Sequence, residues 1–462
     1  MHGTWVTGGP WERFGLYNHY AVLRDDGLAM MMPAHCGELV PGSTEDLVAH
    51  LSTMREAGEP VAPLTLELDP TYRCASRDCG GSCFSAPYRR LAPTAALPPQ
   101  VLQDLVADFA AHGGRILRLD GGGDPLLHPE VACGRLLDQA ARSGLKSTIL
   151  TSGDYLDRAH LPALAESRCY VRVSLNAGTD ATRRAVHGNR IALATILTAI
   201  SRLAGEHRSR GSGTPIGATF LLNEHNADEV LLGAVRARDA GVQHFAVRRV
   251  LGPPSMRPTW RPGQLDRLTE QLAQIVEMAG PEFRVAVPWR SLDEGDLDPR
   301  SGDVAASRCW QSTLKVVVEP DPDSGLARAQ LCGRYRGTGI GQRMSLPPLF
   351  AAHAGKGWVR GWREARAAYG VSPMQLLATC SSCIDRGFIQ LVDRLWNFTD
   401  GASRRFVVLH LAGNRNLSEE VLHAAVVRGR GGMSIPWQAY FGGHSPAQAA
   451  SLWPPAVASS PA

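Results

Sequence analysis

At 462 residues the chain exceeds one ordinary domain of about 150 residues; three domains, or one α/β barrel with extensions, fit its length. Its residues are 44% hydrophobic and 20% charged, which excludes general disorder and supplies a sizeable core. Lys and Arg number 48 against 44 Asp and Glu, a formal charge of +4, so the overall charge favours neither a nucleic-acid partner nor an acidic membrane.

Met1 to Gly15 holds no apolar segment of the secretory type, and the apolar run Leu28 to Met32 is too short to span a bilayer. A cytoplasmic protein without membrane attachment is the expectation. Residues 1–62 read as an N-terminal extension, with a helix starting at Ser43 or Thr44 and running to Glu56. From Leu64 onward, short β-like runs alternate with helical stretches. Strands are expected at Leu64–Leu68, Ile116–Leu119, Ser147–Leu150, Tyr170–Leu175, Ile216–Leu222 and His244–Val250. Helices are expected between them at Pro99–His112, Glu130–Ser143, Arg158–Glu166, Ala192–Ala204 and Ala227–Ala240. A further helix, Gln264–Met278, and a strand, Arg284–Val287, extend the series. This is the pattern of a parallel sheet with crossover helices, an α/β fold, and it predicts a partial (β/α)6 barrel over residues 63–292.

The stretch Asp293 to Ser307, rich in Asp, Gly and Pro, reads as a linker. A hairpin follows (Leu314–Glu319, then Ala327–Cys332), and a helical region reaches Tyr369. Residues 308–395 are expected to form one subdomain, and 396–462 a helical region with a frayed tail.

Ten cysteines in a cytoplasmic chain call for a reason other than disulfides. Cys36, Cys133 and Cys169 stand alone and read as small buried hydrophobes. Cys74, Cys79 and Cys83 follow the first strand directly, at the strand end where parallel α/β folds place their chemistry. Three thiolates can hold three irons of a [4Fe-4S] cube and leave the fourth open. A three-cysteine zinc site awaiting a fourth ligand, or plain loop cysteines, are the alternatives at this point.

Further motifs stand at successive strand ends. Leu119-Asp-Gly-Gly-Gly-Asp-Pro follows the second strand, and its glycines allow a close backbone approach. The third strand ends Leu150-Thr-Ser-Gly. The fourth reads Val171-Arg-Val-Ser-Leu-Asn, where Ser174 and Asn176, two apart on a strand, are expected to face the same side. Ala185-Val-His-Gly lies beyond it, the fifth ends Leu222-Asn223, and the sixth ends near Val247-Arg248.

In this order the motifs resemble the radical S-adenosylmethionine (SAM) superfamily over residues 64–250. Each gap between the three cysteines is one residue longer than the family's usual spacing, and Ser82 stands where an aromatic residue is usual, with Phe84 on the other side. The resemblance implies that Cys74, Cys79 and Cys83 hold a SAM-binding [4Fe-4S] cluster. It places Gly122, Gly123 and Asp124 in the position of the family's Gly-Gly-Glu-Pro loop, next to the SAM ammonium. It further implies that Ser174 and Asn176 meet the SAM ribose and carboxylate, and that Asn223 lies near the ribose.

Cys309, Cys332, Cys380 and Cys383 form a second group, and a structural Cys₄ zinc site suits them as well on local grounds. Their order (a cysteine, a hairpin, a second cysteine, a helix, a closing Cys-x-x-Cys) is similar to the twitch subdomain, the shortened relative of the SPASM extension. That resemblance implies a fully ligated auxiliary [4Fe-4S] cluster whose role is electron transfer. The whole resemblance implies an enzyme that cleaves SAM reductively and abstracts hydrogen from a peptide or a natural-product intermediate, leading to oxidation or cross-linking. Its electron donor would be a flavodoxin or ferredoxin. No catalytic acid or base follows from the sequence; Tyr72, His187, Arg248 and His244 are the candidates. A zinc-stabilised, non-catalytic binding protein with a decayed barrel is the competing expectation.

Overall fold

The structure, a computed structural model, describes residues 17–24, 29–34, 50, 53–54, 62–76, 79, 83, 85–188, 191–249, 258–278, 282–286, 310–321, 327–330, 357–368 and 406–413. The N-terminal extension contributes two strands, β1 (Tyr17–Arg24) and β2 (Ala29–Ala34), paired antiparallel. The core begins with β3 (Thr65–Leu68), then α1 (Ala86–Leu91) and α2 (Pro99–Ala111). After β4 (Ile116–Leu119) come α3 (Pro129–Ala132) and α4 (Arg135–Arg142). The single helix expected over residues 130–143 is thus two, because Gly134 between them takes φ 82° and ends the first. Next are β5 (Lys146–Thr151), α5 (Leu161–Glu166) and β6 (Tyr170–Ser174). A short α6 (Asp180–His187) precedes the long α7 (Leu193–Ser209). The series closes with β7 (Gly217–Leu222), α8 (Val230–Asp239), β8 (His244–Arg249), α9 (Gln264–Glu277) and β9 (Arg284–Ala286). Six strands, β3 to β8, lie side by side in chain order, all parallel, each followed by helix. This is the expected partial (β/α)6 barrel.

The expected hairpin is present and does more than follow the barrel. A short α10 (Trp310–Leu314) leads into β10 (Lys315–Pro320), which pairs antiparallel with β11 (Ala327–Gln330) and parallel with β3. The sheet therefore has nine strands in the order β11-β10-β3-β4-β5-β6-β7-β8-β9. Downstream, α11 (Trp358–Ala368) packs on α2. The region expected to be helical beyond residue 396 contains a strand, β12 (Phe406–Gly413), which pairs with β1 to complete a separate sheet of order β12-β1-β2.

Strand alternation gives the main sheet two unlike faces. Leu66 and Leu68 on β3, Leu117 and Leu119 on β4, and Val171 and Val173 on β6 join one apolar cluster with the helices. Each such fully buried side chain is worth about 1.5–3 kcal/mol. The intervening positions are polar: Glu67 pairs in register with Arg118, and Arg118 with Thr148. Charges on this face are matched across strands. Lys315 lies 2.9 Å and Arg118 3.7 Å from Glu67, and Arg118 also binds Asp120 at 2.5 Å. Core packing thus takes one face and leaves the strand ends and the opposite face for chemistry. Among the described residues no helix is long and apolar enough to cross a membrane.

Candidate functional site

The cysteine loop leaves β3 clamped on both sides. Leu97 N donates to Pro70 O at 2.9 Å and Tyr72 N to Ala95 O at 2.8 Å, a short ladder against residues 95–97. On the other side the buried Tyr72 hydroxyl donates to Glu319 Oε2 at 2.9 Å and to Pro320 O at 3.1 Å, at the end of β10. The base candidate Tyr72 is therefore engaged in holding the loop.

The glycine-rich loop after β4 docks on the same segment. Gly123 N donates to Thr71 O at 2.8 Å and Asp124 N to Arg73 O at 2.7 Å. Any side chain at 123 would put its Cβ 2.0 Å from Arg73 O, and at Gly122, with φ 51°, a Cβ would stand 2.7 Å from the Tyr72 ring. The close approach that demands these glycines is made by the cysteine loop itself.

Asp124 is buried, and both its oxygens are occupied within the protein. Oδ1 accepts from Leu126 N (3.1 Å) and Thr151 Oγ1 (3.0 Å); Oδ2 accepts from Ser152 N (3.0 Å) and Ser152 Oγ (2.6 Å). Burial holds its carboxyl above the usual carboxylate range, against the pull of these bonds. The Thr151-Ser-Gly turn at the end of β5 is thus fastened to the glycine loop. Ser152 Oγ also lies 2.9 Å from Asp154 Oδ2, so its single proton serves one carboxylate at a time. Asp154 pairs with the fully buried Arg183 of α6, which also donates to Ser152 O at 3.1 Å and Leu175 O at 3.3 Å. One turn further on, His187 places Nδ1 3.2 Å from Ser76 Oγ in the cysteine loop. Burial first and Arg183 second push its imidazole down to about 3, so it is neutral, a positioning group.

Cys74, Cys79 and Cys83 are all half-buried; the Cys83 charge acts on Cys74, and the charges of Cys74 and Cys83 act on Cys79. Cys79, at φ 50°, takes the left-handed conformation. A hydrogen bond between Cys79 and Cys83 pulls the Cys83 thiol down to about 5 and pushes Cys79 up, while burial pushes Cys74 up to about 11. Arg89 on α1, absent from the sequence-based candidates, donates Nη2 to Cys83 Sγ at 3.3 Å and Nη1 to Ser76 O at 3.0 Å. Three thiolates are the ligand set of a [4Fe-4S] cube with one open iron, whereas a closed zinc site takes four protein ligands on one atom; the donor set of Cys74, Cys79 and Cys83 fits the cube. Cys309, Cys332, Cys380 and Cys383 lie outside the described residues.

At the far strand ends the expectation for Ser174 and Asn176 changes. The strand stops at Ser174; Asn176 lies beyond it with φ 53°, so strand alternation does not reach it. Its Oδ1 accepts from Leu221 N at 2.8 Å, tying β6 to β7. Asn223 accepts from His225 N at 2.9 Å through Oδ1, and its buried Nδ2 has no partner. His244 opens β8, four residues below Arg248, with its ring 5.7 Å from Tyr170. At about 3.3 Å per residue it stands well away from the strand ends where the cysteine loop lies.

No family model matches the chain, and no curated protein matches it. Solved structures do. SuiB from Streptococcus suis bound to S-adenosylmethionine aligns over 63% of this chain and 65% of its own, at 14% identity and a TM-score of 0.46. SuiB bound to its precursor peptide SuiA aligns over 68% of each chain, at 14% identity and 0.48. The protein anSMEcpe with bound AdoMet aligns over 59% of this chain and 75% of its own, at 16% identity and 0.40. This chain thus spans slightly less than two thirds of SAM-bound SuiB. Likeness at these TM-scores decides neither fold nor activity; the strand order and loop contacts above belong to the chain itself.

Proposed function

We propose that the chain is a radical SAM enzyme, with Cys74, Cys79 and Cys83 as the ligands of its SAM-binding [4Fe-4S] cluster. One observation carries this reading. Three cysteines at the end of the first barrel strand interlock, through backbone bonds at residues 71–73 and 123–124, with the glycine-rich loop at the end of the second. A cluster held by these thiolates would supply the electron for reductive cleavage of SAM, and with it the 5′-deoxyadenosyl radical chemistry that takes a hydrogen atom from substrate. The chain's own residues orient and shield. Tyr72, Arg89 and His187 hold the loop from three sides. Asp124 locks the glycine loop to the β5 turn, so contacts from this loop to the SAM ammonium fall to backbone carbonyls around Gly122 and Gly123. The unpartnered Asn223 amide, at the end of β7, is left as a donor for the SAM ribose.

We assign Cys309, Cys332, Cys380 and Cys383 to an auxiliary [4Fe-4S] cluster that moves an electron after hydrogen abstraction. In the chain Cys309 immediately precedes α10, and Cys332 follows β11 by two residues. The substrate is a peptide or a natural-product intermediate, the electron donor a flavodoxin or ferredoxin, and the compartment the cytoplasm. Anaerobic reconstitution tests the reading. The chain should take up about eight irons and eight sulfides, as two four-iron clusters do, and under reduction release 5′-deoxyadenosine from SAM. The same chain with Cys74, Cys79 and Cys83 all changed to Ala should release none. Zinc in place of iron would instead establish the non-catalytic binding protein.

A further inference from the structure

We propose that Arg89 sets the reduction potential of the cluster held by Cys74, Cys79 and Cys83, by placing a buried fixed cation against one of its ligand sulfurs. This rests on the radical SAM reading above. Helix α1 starts directly after the last cysteine: Ala86 N donates to Cys83 O at 3.2 Å and Arg89 N to Ser85 O at 3.1 Å. A side chain one turn into a helix leans back towards its N-terminus, and here that direction leads to Cys83. The guanidinium then spans the loop, with Nη1 3.0 Å from Ser76 O and Nη2 3.3 Å from Cys83 Sγ.

The two contacts do different work. The bond to the Ser76 carbonyl is enough to fasten the loop, and any donor of similar reach could make it. The bond to sulfur adds a charge where charge matters. Arg89 is only 7% exposed, so solvent screens it weakly. Reduction of the cluster by a one-electron donor adds one negative charge; no bond breaks and no proton is required. A cation held beside the ligands favours the form that carries the added electron. Hydrogen bonds to cluster sulfurs and local charge are established means of setting such potentials. Arg89 therefore makes the cluster easier to reduce, and hence makes SAM easier to cleave with a weak cellular donor.

The test is a redox titration of the full-length reconstituted protein with dithionite and mediators. It follows the reduced paramagnetic signal that changes when SAM is added, which separates this cluster from any auxiliary one. Arg89→Gln keeps a donor for Ser76 O and removes the charge; Arg89→Lys keeps the charge. The Gln variant should titrate at a more negative potential. At the wild-type midpoint its ratio of reduced to oxidised cluster should fall about tenfold, which is about 59 mV for one electron. The Lys variant should stay near the wild type. A Gln variant that holds its iron with an unmoved midpoint overturns the proposal, as does a Lys variant that shifts as far as Gln. Iron lost from both variants makes Arg89 a fastening residue only and also overturns it. Iron lost from Gln alone, with Lys unshifted, makes Arg89 a charge that holds the cluster rather than one that sets its potential, and overturns it too. A wild-type chain that binds no iron and sulfide ends the radical SAM reading instead, and this shows before any midpoint is measured.

Discussion

The Tyr72 hydroxyl donates to Glu319 Oε2 at 2.9 Å across 247 positions of sequence, joining the cysteine loop to the hairpin that closes the sheet. Both residues are buried, and Gln330 and Arg328 of β11 also reach the Glu319 carboxylate. Tyr72→Phe keeps the ring and removes one donor from a buried carboxylate. Loss of such a partner costs about 1–3 kcal/mol. The urea midpoint of the metal-free chain should fall accordingly with an unchanged slope. A midpoint equal to wild type would mean that the hairpin and the cysteine loop are not energetically joined through this pair.

Asp124 offers a way to separate holding a loop from touching a ligand. Its four donors all belong to the protein. Asp124→Ala should therefore destabilise the chain before any cofactor is added, by about 1–3 kcal/mol or more because several buried groups lose their acceptor at once. Asp124→Asn should cost less than Ala, since one oxygen still accepts from Leu126 N, yet more than nothing, because the new amide faces the Ser152 N–H. If both variants unfold at the wild-type midpoint and differ only in SAM binding, the carboxylate serves the ligand and not the fold.

The barrel strands were legible because each is a short apolar run closed by polar or turn residues, and all six fall within a residue or two of their expected places. Helix α6 was not. Its buried face consists of Thr182, Arg183, Val186 and His187, so the face that packs carries no apolar stripe. The pair that matters, Arg183 and His187, repeats at helical spacing but in polar residues, a pattern that hydrophobic periodicity passes over. Arg89 was missed for a related reason: it sits in a six-residue helix with no periodicity of its own. The glycines at 122 and 123 stand out in the sequence, but not the Tyr72 ring and the Arg73 carbonyl they make room for, which come from a different strand end. Asn176 falls outside strand alternation because the strand stops at Ser174 and Asn176 takes φ 53°.

Helix α11 reports on how firmly the chain beyond the hairpin is attached to the barrel. Trp358 and Trp362 are fully buried, the Trp358 indole donates to Leu105 O at 3.0 Å, and its ring stacks on Phe109. Asp108 on α2 caps the helix start, accepting from Gly357 N at 3.0 Å and Val359 N at 2.9 Å. Trp358→Ala should cost about 3–5 kcal/mol, and Asp108→Ala, which removes a cap, about 1 kcal/mol. If the chain unfolds in one step, both losses appear in the global urea transition. A separate early transition in Trp358→Ala, with the barrel's own transition unmoved, would show that this helix is an independent unit.

His187 gives the fold a defined sensitivity to acid. Its imidazole is neutral in the folded chain and pushed down to about 3, from an ordinary value of 6.5, by burial and then by Arg183. Ser76 Oγ faces its Nδ1, and the Arg183 charge and the Leu175 backbone also act on it. A depressed histidine binds fewer protons folded than unfolded. Its contribution is therefore fully present above pH 6.5, and it is lost steadily as pH falls from there towards 3. Between roughly pH 7 and 5.5 this residue alone should remove about 1 kcal/mol of stability. Other depressed histidines, His50 and His128 among them, lose stability in the same direction, so the wild-type curve by itself does not isolate His187. His187→Gln does, because Gln can still face Ser76 Oγ and does not titrate. The variant should start lower at neutral pH, having lost the ring's packing, and decline by about 1 kcal/mol less over the same interval. Parallel stability curves for wild type and variant would mean that His187 is charged in the folded chain, or that water reaches it.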